Sequence, residues 1–111
     1  CRCGSKTMKG NLTALTWNPQ LYKSALHHAQ DMDNAGYFSH TSKNGDEFWT
    51  RAEKAGYKGF PRAENIAAGQ TNIESAFTSW FKSAGHCENM MLEDATEIAV
   101  AQAGPYWVMM L

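Results

Sequence analysis

Apolar positions recur along this chain at readable periods, separated by stretches rich in Gly, Asn and Pro. Residues 1–16 are polar and carry no clear period. Asn18-Pro19 then reads as a helix start, with Asn as N-cap and Pro at the first helical position. Leu21, Ala25, His28, Ala29 and Met32 follow on one face at helical spacing, and Gly36 ends the run. Tyr37-Phe38-Ser39-His40 is a short aromatic exit, and Ser42-Lys43-Asn44-Gly45 a turn. The spacing predicts a second helix from about Asp46 to Ala55, with Phe48, Ala52 and Ala55 inward and Gly56 as its stop. Thr71 and Glu74 form a capping box. The helix it opens carries Ile73, Ala76, Phe77, Trp80 and Phe81 as one stripe.

Gly59 and Pro61 mark a loop, and Glu64-Asn65-Ile66-Ala67-Ala68-Gly69 reads as a short, small-residue-rich loop segment. Ser83-Ala84-Gly85-His86-Cys87-Glu88-Asn89 reads as a turn held between two core elements, with Gly85 leading the backbone out of a helix. Met90-Met91-Leu92 is a short helical turn. Residues 96–101 and 106–110 read as strands joined at Gly104-Pro105, a hairpin signal. Helices first and the clearest strands last predict an α+β fold.

Composition narrows the field. A chain of 111 residues, 43% apolar, with four Trp, four Tyr and five Phe, suits one domain around one core. Ten basic against eleven acidic residues leave a net charge of −1, which gives no footprint for nucleic acid or an anionic membrane. No run of about 18 apolar residues predicts a transmembrane segment. The chain begins at Cys1, which reads as a processed or trimmed start. Asn11-Leu12-Thr13 is a glycosylation sequon, meaningful in a eukaryotic secreted protein.

Cysteines stand at 1, 3 and 87 without C-x-x-C spacing, which disfavours a zinc finger. Either Cys1 or Cys3 paired with Cys87 would make a disulfide and imply secretion; three reduced thiols are the alternative. His27 and His28 point about 100° apart on a helix, so His28 reads as a hydrogen-bonded core residue and His27 as solvated. His40, Glu64 and His86 read as three ligand-type side chains on three loops that can converge. Two imidazoles and a carboxylate suit a borderline divalent ion, Zn²⁺ above all. The bland alternative pairs Glu64 with Arg62 or Arg51. A cysteine-nucleophile reading takes Cys87 with His40 as base and an Asn as orienter, and it fails if Cys87 is in a disulfide.

Taken together, the pieces resemble the CAP superfamily of cysteine-rich secretory, antigen 5 and pathogenesis-related proteins, most of all its bacterial SCP-domain branch. They are Leu15-Thr16-Trp17-Asn18, A-x-x-H-A-x-x-M from Ala25 to Met32, Phe38-Ser39-His40-Thr41, Asn44-Gly45, Arg51 and Ala55-Gly56-Tyr57. Glu64-Asn65-Ile66-Ala67, Trp80-x-x-Ser83-x-Gly85-His86-x-x-Asn89, Glu97-Ile98-Ala99-Val100-Ala101 and Tyr106-Trp107 follow in the family's order. The resemblance implies a single α-β-α sandwich domain over residues 1–111, with a central, mainly antiparallel sheet and the family's first helix missing or trimmed. It implies a cleft holding His40, His86 and Glu64, lined by Ser39, Asn65 and Ser83. Ser83 stands where the eukaryotic pattern has a second acid. Bacterial relatives favour the pairing Cys3–Cys87.

The family's proposed activities make the domain a secreted or cell-envelope binding module with a metal-capable cleft. Its partner would be a protein, an envelope component or a lipid. The alternatives are a metal-dependent hydrolase with Glu64 as base or ligand, and lipid or sterol binding. The absent second acid leans against the enzyme, because no base remains once Glu64 holds a metal.

Overall fold

The structure, a computed structural model, describes residues 2–8 and 14–111. Cys1 and the Asn11-Leu12-Thr13 sequon lie outside them. Helix α1 spans Pro19–Ala35, opened by Asn18 Oδ1, which accepts from the amides of Gln20 and Leu21 at 2.9 and 3.0 Å. Gly36 closes it in the left-handed region at φ 72°, a conformation that costs glycine nothing. Leu21, Ser24, Ala25, His28, Ala29 and Met32 form its buried face, at i, i+3, i+4, i+7, i+8 and i+11.

The other elements are β1 (Arg2–Cys3), β2 (Lys6–Thr7), β3 (Thr16–Trp17), α2 (Phe48–Lys54), β4 (Glu64–Ala68), α3 (Ile73–Lys82), α4 (Ala84–Met90), β5 (Glu97–Ala103) and β6 (Tyr106–Met110). Strands β1 and β2 form a small hairpin, and the main sheet has the order β3-β5-β6-β4. Its β5–β6 and β6–β4 pairings are antiparallel; β3 lies parallel to β5.

Alternation along the strands divides the core into two layers. Ala99 and Ala101 of β5 and Val108 and Met110 of β6 meet α1, with Ala52 of α2. Trp107, Met109 and Leu111 meet Ala76 and Trp80 of α3 and Met90 of α4 on the other face. Alanines on both α1 (Ala25, Ala29) and β5 let helix and sheet approach closely. The α+β class is therefore as the order of elements led one to expect, and the α-β-α layering as the family resemblance implied. Trp80 is a core anchor, 1% exposed, its indole N–H donating to the Ile66 carbonyl at 3.1 Å.

Local expectations fail in instructive places. The segment expected to be a loop after Arg62 is strand β4, five residues in register with β6. Alanine has low strand propensity, and pairing with β6 overrides it. The expected turn around Gly85 is the first turn of α4. Glycine disfavours a helix by about 1 kcal/mol, but Cys87 and Met90 are buried on one side of this one and hold it. The chain breaks instead at Ser83, extended at φ −93°, ψ 122°.

The N-cap of α3 is Asn72, whose side chain accepts from Ser75 N at 2.8 Å, and not Thr71 of the capping box. Ile73 and Phe81 lie exposed, so the buried stripe of α3 is narrower than the spacing suggested. Helix α2 begins at Phe48, two residues after Asp46.

Candidate functional site

Strand β4 is an edge strand, and its two faces carry different chemistry. Glu64 shares the side of Ile66, toward α1 and α2; Asn65 shares the side of Ala67, toward α3 and α4. Adjacent residues thus serve opposite layers at one sheet edge.

On the first side, the Glu64 carboxylate is buried, with 1% of its side chain exposed. Its Oε1 meets His40 Nδ1 at 2.9 Å, and its Oε2 accepts from Arg51 Nη2. The Arg51 side chain is 3% exposed. Its Nη1 donates to the His40 carbonyl at 2.9 Å, to Ser42 Oγ at 2.8 Å and to the Asp46 carbonyl at 3.1 Å. One guanidinium therefore ties the loop from His40 to Asp46 onto the sheet edge. The bond to Glu64 holds the His40 imidazole above its usual pKa, against the opposing effect of burial.

On the second side, Asn65 is wholly buried. Its amide donates to the His86 carbonyl at 3.2 Å and accepts from Asn89 Nδ2 at 3.0 Å. These bonds lock α4 to β4, and the Cys3–Cys87 disulfide, Cα–Cα 5.4 Å, fixes the same helix to the β1–β2 hairpin. The disulfide removes the Cys87 nucleophile. Burial, then the nearby charge of His40, hold the His86 imidazole below its usual pKa. His28 is buried in α1, its Nε2 2.7 Å from the Ser39 carbonyl, and burial followed by Arg51 holds its pKa down. His27 is exposed.

The structure brings His40 and Glu64 into contact and places His86 within electrostatic reach, on α4 rather than on a loop. A cleft of about 290 Å³ opens at His40 and Glu64, walled by Glu47, Phe48, Trp49, Arg62 and Asn89. His86, Ser39, Asn65 and Ser83 are not among its lining residues. Ser39 instead accepts from the Thr41 amide, and Ser83 begins α4 without a side-chain capping bond.

As folded, this donor set does not fit a metal ion. Among the described residues no three His, Cys, Asp or Glu side chains are placed to hold one. Both Glu64 oxygens are engaged, one of them by a cation. The arrangement is that of the bland alternative, Glu64 paired with Arg51. Sequence reasoning passed over Arg51 as an organiser, yet a signal was there. Phe48, Arg51, Ala52 and Ala55 fall at i, i+3, i+4 and i+7, so Arg51 lies on the inward stripe of its helix. A buried guanidinium calls for a buried acid.

The sandwich and its order of elements are those of an SCP-type domain. The sequence pattern of the cysteine-rich secretory protein (CAP) family matches residues 9–105, and the chain belongs to that family. It is 32% identical over 101 residues to the uncharacterized membrane protein YlbC of Bacillus subtilis (strain 168), covering 90% of this chain and 29% of that protein. It is 30% identical over 105 residues to the uncharacterized protein YkwD of the same organism, covering 93% of this chain and 41% of that one. The chain thus spans less than half the length of either relative.

Among solved structures, it is similar to an extracellular protein containing an SCP domain from Bacillus anthracis str. Ames. That match has a TM-score of 0.84 and 28% identity, over 89% of this chain and 33% of the other. An outer surface protein from Borrelia burgdorferi shares the fold at a TM-score of 0.76 and 20% identity, over 89% of this chain and 77% of that one. Among the described residues no helix is long and apolar enough to cross a membrane.

Proposed function

We propose that this domain works outside the cytoplasm as a binding module, taking a peptide segment of a partner protein across the cleft at His40 and Glu64. The observation that carries the reading is the double engagement of Glu64. A carboxylate bonded to His40 on one oxygen and to Arg51 on the other is a structural acid, with no free oxygen to act as a base. Around it the surface offers anchors of the kind protein partners use. Trp49 on the cleft wall is 53% exposed, and Phe60, 79% exposed, stacks near the Arg62 guanidinium at 5.8 Å. The disulfide and the extracellular relative support the location.

The test is a short-peptide library titrated against isotope-labelled protein, with the products followed by mass spectrometry. The reading expects saturable shifts at His40, Trp49 and Asn89 and intact peptides. Cleavage that disappears in a folded Glu64→Gln variant would replace it with the hydrolase.

A separate observation favours a second reading, an apolar ligand. A groove of about 400 Å³ between β5 and α3 is walled by Trp17, Ile73, Phe77, Ile98, Val100 and Trp107. Trp17 is 52% exposed there. Fatty-acid or sterol analogues that quench its fluorescence saturably would support this reading, and no response would remove it.

A further inference from the structure

A different pocket lies between α1 and α2. It measures about 300 Å³ and is lined by Lys23, Ser24, His27, Asp46, Arg51 and Lys54. Helical spacing explains the gathering: Lys23 and His27 are one turn apart on α1, as are Arg51 and Lys54 on α2. Three of its side chains are basic, Lys23, Arg51 and Lys54, with Arg51 also paired to Glu64. Its one acid among the described residues, Asp46, is already held by Lys54 Nζ at 2.7 Å.

Two buried polar atoms of residues that line it, Ser24 Oγ and Arg51 Nε, have no partner among the described residues. Ser24 is 1% and Arg51 4% exposed. Leaving such atoms unbonded is costly, so a native site normally supplies a partner. Arg51 Nη1 and Nη2 are spent on the His40–Asp46 loop and on Glu64, which leaves Nε–H as the guanidinium's unbonded donor.

We propose that the pocket between α1 and α2 binds a phosphoryl group, free or as a monoester. Arg51 Nε–H and the Ser24 hydroxyl donate to its oxygens, and the Lys23 and Lys54 ammonium groups complete the charge. A single N–H flanked by ammonium point charges suits a tetrahedral oxyanion. A carboxylate is better matched by the planar fork of an arginine, and here that fork is already used.

The test is a titration of the isotope-labelled chain at constant ionic strength with inorganic phosphate, methyl phosphate and acetate in turn, chloride making up the balance. The proposal expects saturable shifts at Ser24, His27 and Lys54 with one or both phosphates. Lys23→Glu and Ser24→Ala should each weaken them by about tenfold, the effect of one lost charge-assisted bond. A response to both phosphates identifies a site for either source; a response to one alone identifies that source. Thermal unfolding in phosphate-free buffer is the second readout. Ser24→Ala should melt no lower than the parent, because it removes an unpartnered hydroxyl, and it should lose the parent's stabilisation by phosphate. Linear shifts, equal shifts with acetate, indifference to Lys23→Glu, or a Ser24→Ala variant destabilised without phosphate would each overturn the proposal.

Discussion

Arg51 and Glu64 form a buried ion pair between α2 and β4, with 3% and 1% of their side chains exposed. Removing one member of such a pair strands the other charge. Glu64→Gln should therefore cost about 3–5 kcal/mol of stability in chemical denaturation. Arg51→Met should cost a comparable amount, because the loop carbonyls of His40 and Asp46 also lose their donor. The Glu64→Gln/Arg51→Met double variant should fall short of the sum of the two single losses by about 1–3 kcal/mol. Additive losses would mean that the two side chains do not interact.

The α1 stripe, the α3 stripe and the β5–β6 hairpin made the α+β class legible, and the resemblance to the CAP family implied the sandwich. Two elements that carry the candidate residues were not legible, because both run against local preference. An alanine-rich segment is held as β4 by its pairing with β6, and a glycine-containing segment is held as α4 by Cys87, Met90 and the Asn65 bonds. Once β4 is a strand, Glu64 and Asn65 must face opposite layers. That relation is invisible while the segment is read as a loop.

The Cys3–Cys87 bridge closes a separation of 84 residues. Replacing both cysteines by serine should cost about 2–4 kcal/mol. It should also speed amide exchange across Ala84–Met90, because the helix loses its tie to the β1–β2 hairpin. Under denaturing, non-reducing conditions the parent chain should titrate as one thiol, that of Cys1. Three thiols would refute the pairing.

Trp80 unites α3 with β4. Trp80→Ala should cost about 3–5 kcal/mol. Trp80→Phe should cost less, about 1–3 kcal/mol, chiefly for the Ile66 carbonyl left without its donor. Calorimetric melting of both variants checks the order, and a Trp80→Phe loss equal to that of Trp80→Ala would contradict it.

The histidines should separate on titration by nuclear magnetic resonance. His40, bonded to Glu64, should titrate above 6.5, and His28 and His86, held back first by burial, below it. The sign for stability follows. The His40 contribution is complete below the unfolded value of 6.5 and fades as pH rises through its higher folded pKa. The contributions of His28 and His86 are present above 6.5 and fade as pH falls through their lower folded values. A His40→Gln variant should lose the alkaline-side decline and keep the acid-side one. A His40 that titrates below His86 would contradict the Glu64 contact.

The central claim is that Arg51, and not a metal ion, balances the charge of Glu64 in the cleft. Calorimetric titration of the metal-stripped chain with Zn²⁺ at pH 7 tests it most directly. The account predicts no saturable one-to-one binding at the cleft. A one-to-one site lost in both His40→Ala and His86→Ala, with both variants still folded, would contradict it.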